Sequence, residues 1–245
     1  MKAIGVIPAR WGSTRFEGKV LTDIAGKPMI RHVWERAKQS RKLDDVIVAT
    51  DHLKIKAAVE SFGGKAVMTS PDHVSGSDRI AEAVEHIVCD CVVNIQGDEP
   101  LIHPEVIDDL VDALIKSKDA PMATVICKIT SPEELDNPNV VKVVKDSHDF
   151  ALYFSRSRIP FSRDNAALNT VVYYKHLGLY AYRKDFILKF SHLSKTPLEE
   201  SEKLEQLRVL EHGYKIKTVV TQHDTVGVDT PEDLRRVEAL MKGRK

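Results

Sequence analysis

The amino-acid sequence predicts an α/β protein built on a mostly parallel sheet covered by helices on both faces, with a smaller β-rich lobe set into its second half. Three observations carry this. Short apolar runs alternate with amphipathic stretches of helix length up to about residue 129. The crossovers between those runs are long enough to return the chain parallel to itself. From residue 130 onward the pattern changes to closely spaced β-rich runs punctuated by turn residues.

Taken in order, residues 3–7 read as a buried first strand, followed by strands at 45–49, 66–68, 91–95 and 122–129. Helical periodicity separates them at 29–40, 52–62, 77–88 and 104–116. In such a sheet ligands gather beyond the carboxyl ends of the strands, so the loops after Ile7 and Ile95 are expected to face one site. Asn137-Pro138-Asn139 then marks a turn, and 140–145 with 150–155 form a hairpin around Asp146-Ser147-His148-Asp149. Residues 171–182 suggest more strand. Thr196 as N-cap, Pro197 at the first helical position, Glu199 completing a capping box and Gly213 as terminator announce a further helix. Thr230-Pro231-Glu232-Asp233 announces the last one. The expected organisation is a single domain over 1–245, with a core of 1–129 plus 215–245 and a subsidiary lobe at about 130–214.

With 245 residues the chain can bury a substantial core. Its 36 Lys and Arg balance its 36 Asp and Glu, which argues against a general nucleic-acid binder. A run of 18 apolar residues and a basic-then-apolar leader are both absent, so a cytoplasmic protein without a membrane span is expected. Cys89, Cys91 and Cys127 lie in apolar runs and read as reduced core thiols.

The loop Pro8-Ala9-Arg10-Trp11-Gly12-Ser13-Thr14-Arg15-Phe16-Glu17-Gly18-Lys19 brings cations, glycines and hydroxyls together after the first strand. Glycines let backbone N–H groups approach phosphate oxygens, and Arg15 and Lys19 add the charge that those dipoles lack. The same composition also suits an ordinary basic surface loop. It is not a Walker A loop, because Gly12 to Gly18-Lys19 is one residue too long and Val20 stands where Ser or Thr would hold magnesium. No two glycines are two apart, so the dinucleotide fingerprint is absent as well. Asp98 follows a strand end and a glycine, suited either to magnesium or to capping the next turn. At the last helix Thr230 is the better N-cap, which leaves the Asp229 side chain for another role.

This loop, Gly26-Lys27-Pro28-Met29-Ile30, Ala49-Thr50-Asp51, Gly76-Ser77-Asp78-Arg79, Asn94-Ile95-Gln96-Gly97-Asp98-Glu99-Pro100 and Gly227-Val228-Asp229-Thr230-Pro231-Glu232-Asp233 together resemble the 3-deoxy-manno-octulosonate (Kdo) cytidylyltransferases. The resemblance runs in order from residue 3 to about residue 240. It implies the nucleotide-diphospho-sugar transferase fold and transfer of a cytidylyl group from CTP to Kdo, for lipopolysaccharide biosynthesis, in a magnesium-dependent homodimer. One departure is Phe16-Glu17 where the family has Leu-Pro, which removes a rigid residue and adds a negative charge beside the expected phosphates.

By the same resemblance, Asp98 and Asp229 hold magnesium and act in catalysis with Lys19 and Arg15. Ala9, Arg10, Ser13, Arg15, Lys19, Ser77 and Arg79 form the nucleotide site, where Arg79 could instead pair on its own helix. Gln96, His176, Tyr180, Glu205 and Gln206 fit the donors and acceptors that a carboxylated polyol needs, and Arg156 is a candidate for its carboxylate. His176 and Tyr180 equally suit strand packing, and Glu205 and Gln206 the wet face of a helix. Rival readings are a cytidylyltransferase for sialate or for the 8-amino Kdo analogue, and a non-catalytic nucleotide-binding regulator on the same fold.

Overall fold

The computed structural model describes residues 1–12, 18–163 and 171–242. Its strands are β1 (Ala3–Ala9), β2 (Asp23–Ile24), β3 (Lys27–Pro28), β4 (Asp45–Thr50), β5 (Lys65–Met68), β6 (Cys91–Asn94), β7 (Met122–Lys128), β8 (Lys142–Lys145), β9 (Ala151–Ser155), β10 (Tyr174–Arg183) and β11 (Ile216–Thr221). Its α-helices are α1 (Met29–Ala37), α2 (Leu53–Ser61), α3 (Gly76–Val84), α4 (Pro104–Lys116), α5 (Pro132–Asp136), α6 (Lys184–Phe190), α7 (Pro197–Glu202), α8 (Gln206–Glu211) and α9 (Pro231–Lys242).

Seven strands lie in the order β11-β7-β10-β6-β1-β4-β5. Along this path β4, β5 and β6 run parallel to their neighbours in the β1 half, β11 runs parallel to β7, and β10 alone is reversed, antiparallel to both β6 and β7. The alternation of side chains along each strand explains why both faces are covered. Ile7, Val48, Val93 and Val125 pack with α1, α2 and α4 on one face. Ile4, Val6, Val92 and Ile126 pack with α3, α6 and α8 on the other.

The second half departs from the expected lobe. The hairpin forms, with β8 antiparallel to β9 and Lys142 opposite Ser155. The turn before it is closed by the Val140 N–H on the Asn137 carbonyl, 3.1 Å. Yet β10 belongs to the central sheet between β6 and β7, so the segment 130–214 is not separate from the core along its whole length. The reason is burial: Leu177, Leu179 and Ala181 on one face and Tyr182 on the other complete the two apolar layers.

The helix expected after Thr196 is divided, because Lys203 adopts the left-handed conformation at φ 53° and ends α7 before α8 begins. The expected capping box is absent too. Glu199 turns inward to Arg208, whose Nε donates to its Oε2 at 2.7 Å, and the first turn of α7 is capped instead by Glu211, which accepts from the Leu198 N–H at 3.0 Å. The three cysteines are free thiols, Cys91 and Cys127 buried, and burial pushes the Cys91 thiol up to about 12. Among the described residues no helix is long and apolar enough to cross a membrane.

Candidate active site

A cleft of about 530 Å³ opens at the carboxyl edge of the sheet, and Arg10, Lys19, Arg79, Gln96, Asp98 and Asp229 all line it. Its position follows from register. β1 and β6 are parallel neighbours, with Val6 opposite Asn94, so the chain leaves both strands at the same edge. Gly97 lets these two exits approach, since a Cβ there would stand 3.2 Å from the Pro8 carbonyl oxygen. Ala9 ends β1 beside the cleft. Ser13 and Arg15 lie outside the described residues.

Asp229 arrives from the other end of the chain. The Val228 N–H donates to the Asp98 carbonyl at 2.9 Å, while Val228 and Val237 pack with Ile24, Met29 and Leu101. Thr230 and Asp233 cap α9 reciprocally: the Asp233 N–H donates to Thr230 Oγ1 at 3.2 Å, and the Thr230 N–H donates to Asp233 Oδ2 at 2.9 Å. The Asp229 carboxylate is therefore left to the cleft.

There Lys19 Nζ donates to Asp98 Oδ2 at 2.8 Å and to Asp229 Oδ1 at 2.7 Å. Burial alone would lower the Lys19 pKa, but the two carboxylates raise it above the usual lysine value, so the ammonium stays charged. Glu99, next to Asp98, is 8% exposed, and burial pushes its carboxyl up to about 8, so at neutral pH it adds little negative charge to the pair. Two carboxylate oxygens converging on one cation are hard oxygen donors of the kind that would hold magnesium together with substrate phosphates. No group of three or more His, Cys, Asp or Glu side chains suited to a metal occurs among the described residues. The pair fits magnesium shared with a nucleotide, not a closed protein cage.

Beside this cleft lies a second polar cluster. Ser77, in the first turn of α3, donates its hydroxyl to Glu205 Oε2 at 2.6 Å, and Tyr182 is buried in the same region, where Ser77 and Asn94 oppose the rise that burial gives its pKa. Burial raises the Glu205 pKa, against the lowering effects of Ser77 and Arg208. On β10 a register shift between Leu177 and Tyr180 turns the Gly178 carbonyl to Gln96 Nε2, 2.7 Å, and the Leu179 carbonyl to Thr124 Oγ1, 2.9 Å. Irregularities of this kind re-aim side chains next to sites. His176 and Tyr180 come together, ring centroids 5.2 Å apart, with His176 Nε2 3.0 Å from Thr124 Oγ1. Burial pushes the His176 imidazole down to about 3, so at neutral pH it is uncharged and can donate from one nitrogen while accepting at the other. Asn94 Oδ1, Glu205 Oε1 and Gln206 Nε2 are buried without a hydrogen-bond partner, an uncommon condition that often marks a functional position.

Two expected residues are engaged differently. The Arg156 guanidinium is committed to backbone, its Nε donating to the Glu202 carbonyl at 2.7 Å and its Nη1 to the Pro138 carbonyl at 2.9 Å, and it does not line the cleft. Arg79 lines the cleft but pairs with Asp51, Nη2 to Oδ2 at 3.0 Å. Sequence reasoning missed Asn94, Thr124 and Tyr182. The signal for the first two was a polar residue inside an apolar strand, since Asn94 is 5% and Thr124 0% exposed.

A lysine held between two carboxylates in a cleft at the carboxyl edge of a mostly parallel sheet is consistent with a nucleotidyltransferase. The chain belongs to the cytidylyltransferase family, which matches residues 4–216. It is 50% identical to the 3-deoxy-manno-octulosonate cytidylyltransferase of Geotalea uraniireducens strain Rf4, over 99% of this chain and 100% of that one. It is 54% identical to the protein of that name from Syntrophobacter fumaroxidans, over 98% of this chain and 97% of the relative. The solved structure of a CMP:2-keto-3-deoxy-manno-octonic acid synthetase complexed with CTP superposes with a TM-score of 0.95 at 44% identity, covering 100% of both chains. A 4-diphosphocytidyl-2C-methyl-D-erythritol synthase from Anaerococcus prevotii, TM-score 0.63 at 15% identity over 98% of this chain and 99% of that one, shares the fold.

Proposed function

We propose that this cytidylyltransferase activates Kdo: CTP and 3-deoxy-manno-octulosonate give CMP-Kdo and diphosphate, supplying lipopolysaccharide biosynthesis. The observation that carries the reading is the convergence of Lys19, Asp98 and Asp229 on one point of a cleft that also holds Arg10 and Gln96. End-to-end relatives of that name support the choice of sugar.

The anomeric hydroxyl of the sugar attacks the α-phosphorus, the bond to the departing diphosphate breaks on the opposite side, and the hydroxyl proton is released. Catalysis of this kind rests on holding attacker and leaving group in line while stabilising the phosphoryl charge. Asp98 and Asp229 would hold magnesium, which when bound polarises the phosphoryl oxygens and lowers the pKa of the attacking hydroxyl. Arg10 and Arg15 neutralise the triphosphate and Ser13 donates its hydroxyl to it, while Ala9 offers its backbone at the strand end. Lys19 follows the charge that develops as diphosphate leaves. Arg79, which lines the cleft, and Ser77 behind it would meet the nucleoside.

Gln96, His176, Tyr180, Glu205 and Gln206 read the sugar, and the unpartnered atoms of Asn94, Glu205 and Gln206 match the mixed donors and acceptors of a polyol. Arg156 lies outside this set. The segment 130–214 also supports a homodimer, because it carries exposed apolar side chains at Leu152, Phe161 and Val172. A cytoplasmic location fits a CTP-consuming reaction.

The test is diphosphate release by the purified protein, with CTP, Kdo and magnesium omitted one at a time and with sialate or 8-amino Kdo substituted for the sugar. All three components are expected to be required. Turnover without sugar, or preference for another keto-sugar acid, contradicts the reading. In the same assay His176→Ala and Gln206→Ala are expected to raise the Kdo requirement roughly tenfold while calorimetric CTP affinity stays near wild type, the scale of one buried polar group losing its partner. Equal damage to both ligands would give these residues to the fold.

A further inference from the structure

We infer that Asp51 is a positioning residue of the nucleotide cleft, a single carboxylate tying the root of the phosphate loop to the opposite wall. Asp51 follows the last residue of β4, and β4 pairs with β1 so that Thr50 stands opposite Ala9. Its side chain is therefore delivered to the point where the chain leaves β1. Oδ1 accepts from the Trp11 N–H at 2.9 Å, and Oδ2 accepts from Arg79 Nη2 at 3.0 Å. The carboxylate is 11% exposed and Arg79 3%, so this is a buried, charge-assisted link. Beyond it, Arg79 Nη1 donates to Thr69 Oγ1 at 2.5 Å and to the Ser70 carbonyl at 3.3 Å, which holds the start of the segment leading to the cleft residues His73 and Ser75.

Trp11 is also where the far end of the loop is fastened. The Gly18 N–H donates to the Trp11 carbonyl at 3.1 Å. Gly18 has φ +68°, and a Cβ there would stand 3.2 Å from the Trp11 ring. The ring is itself stacked on His52, centroids 4.2 Å apart, with Lys54 Nζ 4.8 Å above it. Both ends of the segment between Trp11 and Gly18 thus rest on one platform, and Lys19 is the residue next to that clasp. A cation aimed at a triphosphate gains from a fixed root, because a misplacement of about 1 Å can cost a hundredfold in such chemistry. Asp51 touches no reacting atom in this account. It acts through Trp11 and Arg79.

This inference rests on the proposed CTP reaction, and its test separates the two. Asp51→Asn keeps the shape but removes the charge and one of the two acceptors. Gly18→Ala disturbs the same clasp from the other end with a local left-handed strain, so it serves if Asp51→Asn does not fold. For each variant the readouts are CTP affinity by calorimetry, which needs no sugar, and KM for CTP and for Kdo. The expected result is CTP affinity weakened about tenfold or more, with the Kdo KM within about twofold of wild type. CTP affinity unchanged in Asp51→Asn, or in Gly18→Ala where Asp51→Asn does not fold, overturns the positioning role, as does equal weakening of CTP and Kdo. If wild type binds CTP but does not use Kdo, the sugar assignment fails, and the calorimetric comparison still decides the case of Asp51.

Discussion

Asp98→Asn and Asp229→Asn each slow diphosphate release by about two orders of magnitude or more, the scale of removing one strong preorganised electrostatic stabiliser. The substitution keeps the shape of each side chain and removes the charge that Lys19 and the proposed magnesium both require. Folding survives, because the two carboxylates are anchored by backbone rather than by each other: the Val228 N–H to Asp98 carbonyl bond and the Thr230–Asp233 cap are untouched by either change. Rates measured against magnesium concentration check this. Near-normal turnover in both variants at limiting magnesium would place the cation elsewhere.

Lys19→Ala has the second largest effect, and it falls on rate more than on binding. The ammonium bridges two carboxylates from residues 79 and 210 positions away in sequence, and so marks the point where negative charge is concentrated. In the reaction that charge grows between the α-phosphate and the departing diphosphate, and an interaction made stronger in the transition state than in the ground state appears in kcat. A drop in kcat of about a hundredfold is expected, larger than the loss of calorimetric CTP affinity. A rise in the CTP requirement at unchanged kcat would assign Lys19 to ground-state binding instead.

The sequence made the parallel half of the sheet legible because its elements are strongly periodic and buried on both faces. Strands at 45–49 and 91–95 and a helix at 104–116 are close to the observed β4, β6 and α4. The central place of β10 was not legible. Strand order is set by which apolar layers β10 completes, and a run such as Tyr174–Arg183 carries the same alternation whether it lies at an edge or between β6 and β7. The break between α7 and α8 was hidden because the left-handed residue is Lys203 rather than glycine. The cap on α7 comes from Glu211, 13 residues away, a distance at which local rules are silent.

For the site, loop composition pointed to Lys19, a strand end to Asp98 and helix capping to Asp229, and the family resemblance joined the two carboxylates, yet their meeting at one point depends on the path that returns the chain from β11 to α9. Arg156 shows the opposite limit. A cation beside a segment expected to read the sugar suits a carboxylate by composition, but the carbonyls of Pro138 and Glu202 take it first. Asp51 was visible only as the last residue of the Ala49-Thr50-Asp51 motif, with no role attached, since the position opposite the loop root exists only once β1 and β4 are paired.

The most direct measurement of the central claim is phosphorus NMR of CTP incubated with Kdo, magnesium and the purified protein. The three CTP resonances are expected to decline together while one phosphodiester resonance and free diphosphate grow in equal amounts. CTP left intact, or CMP appearing in place of the phosphodiester, would contradict that claim.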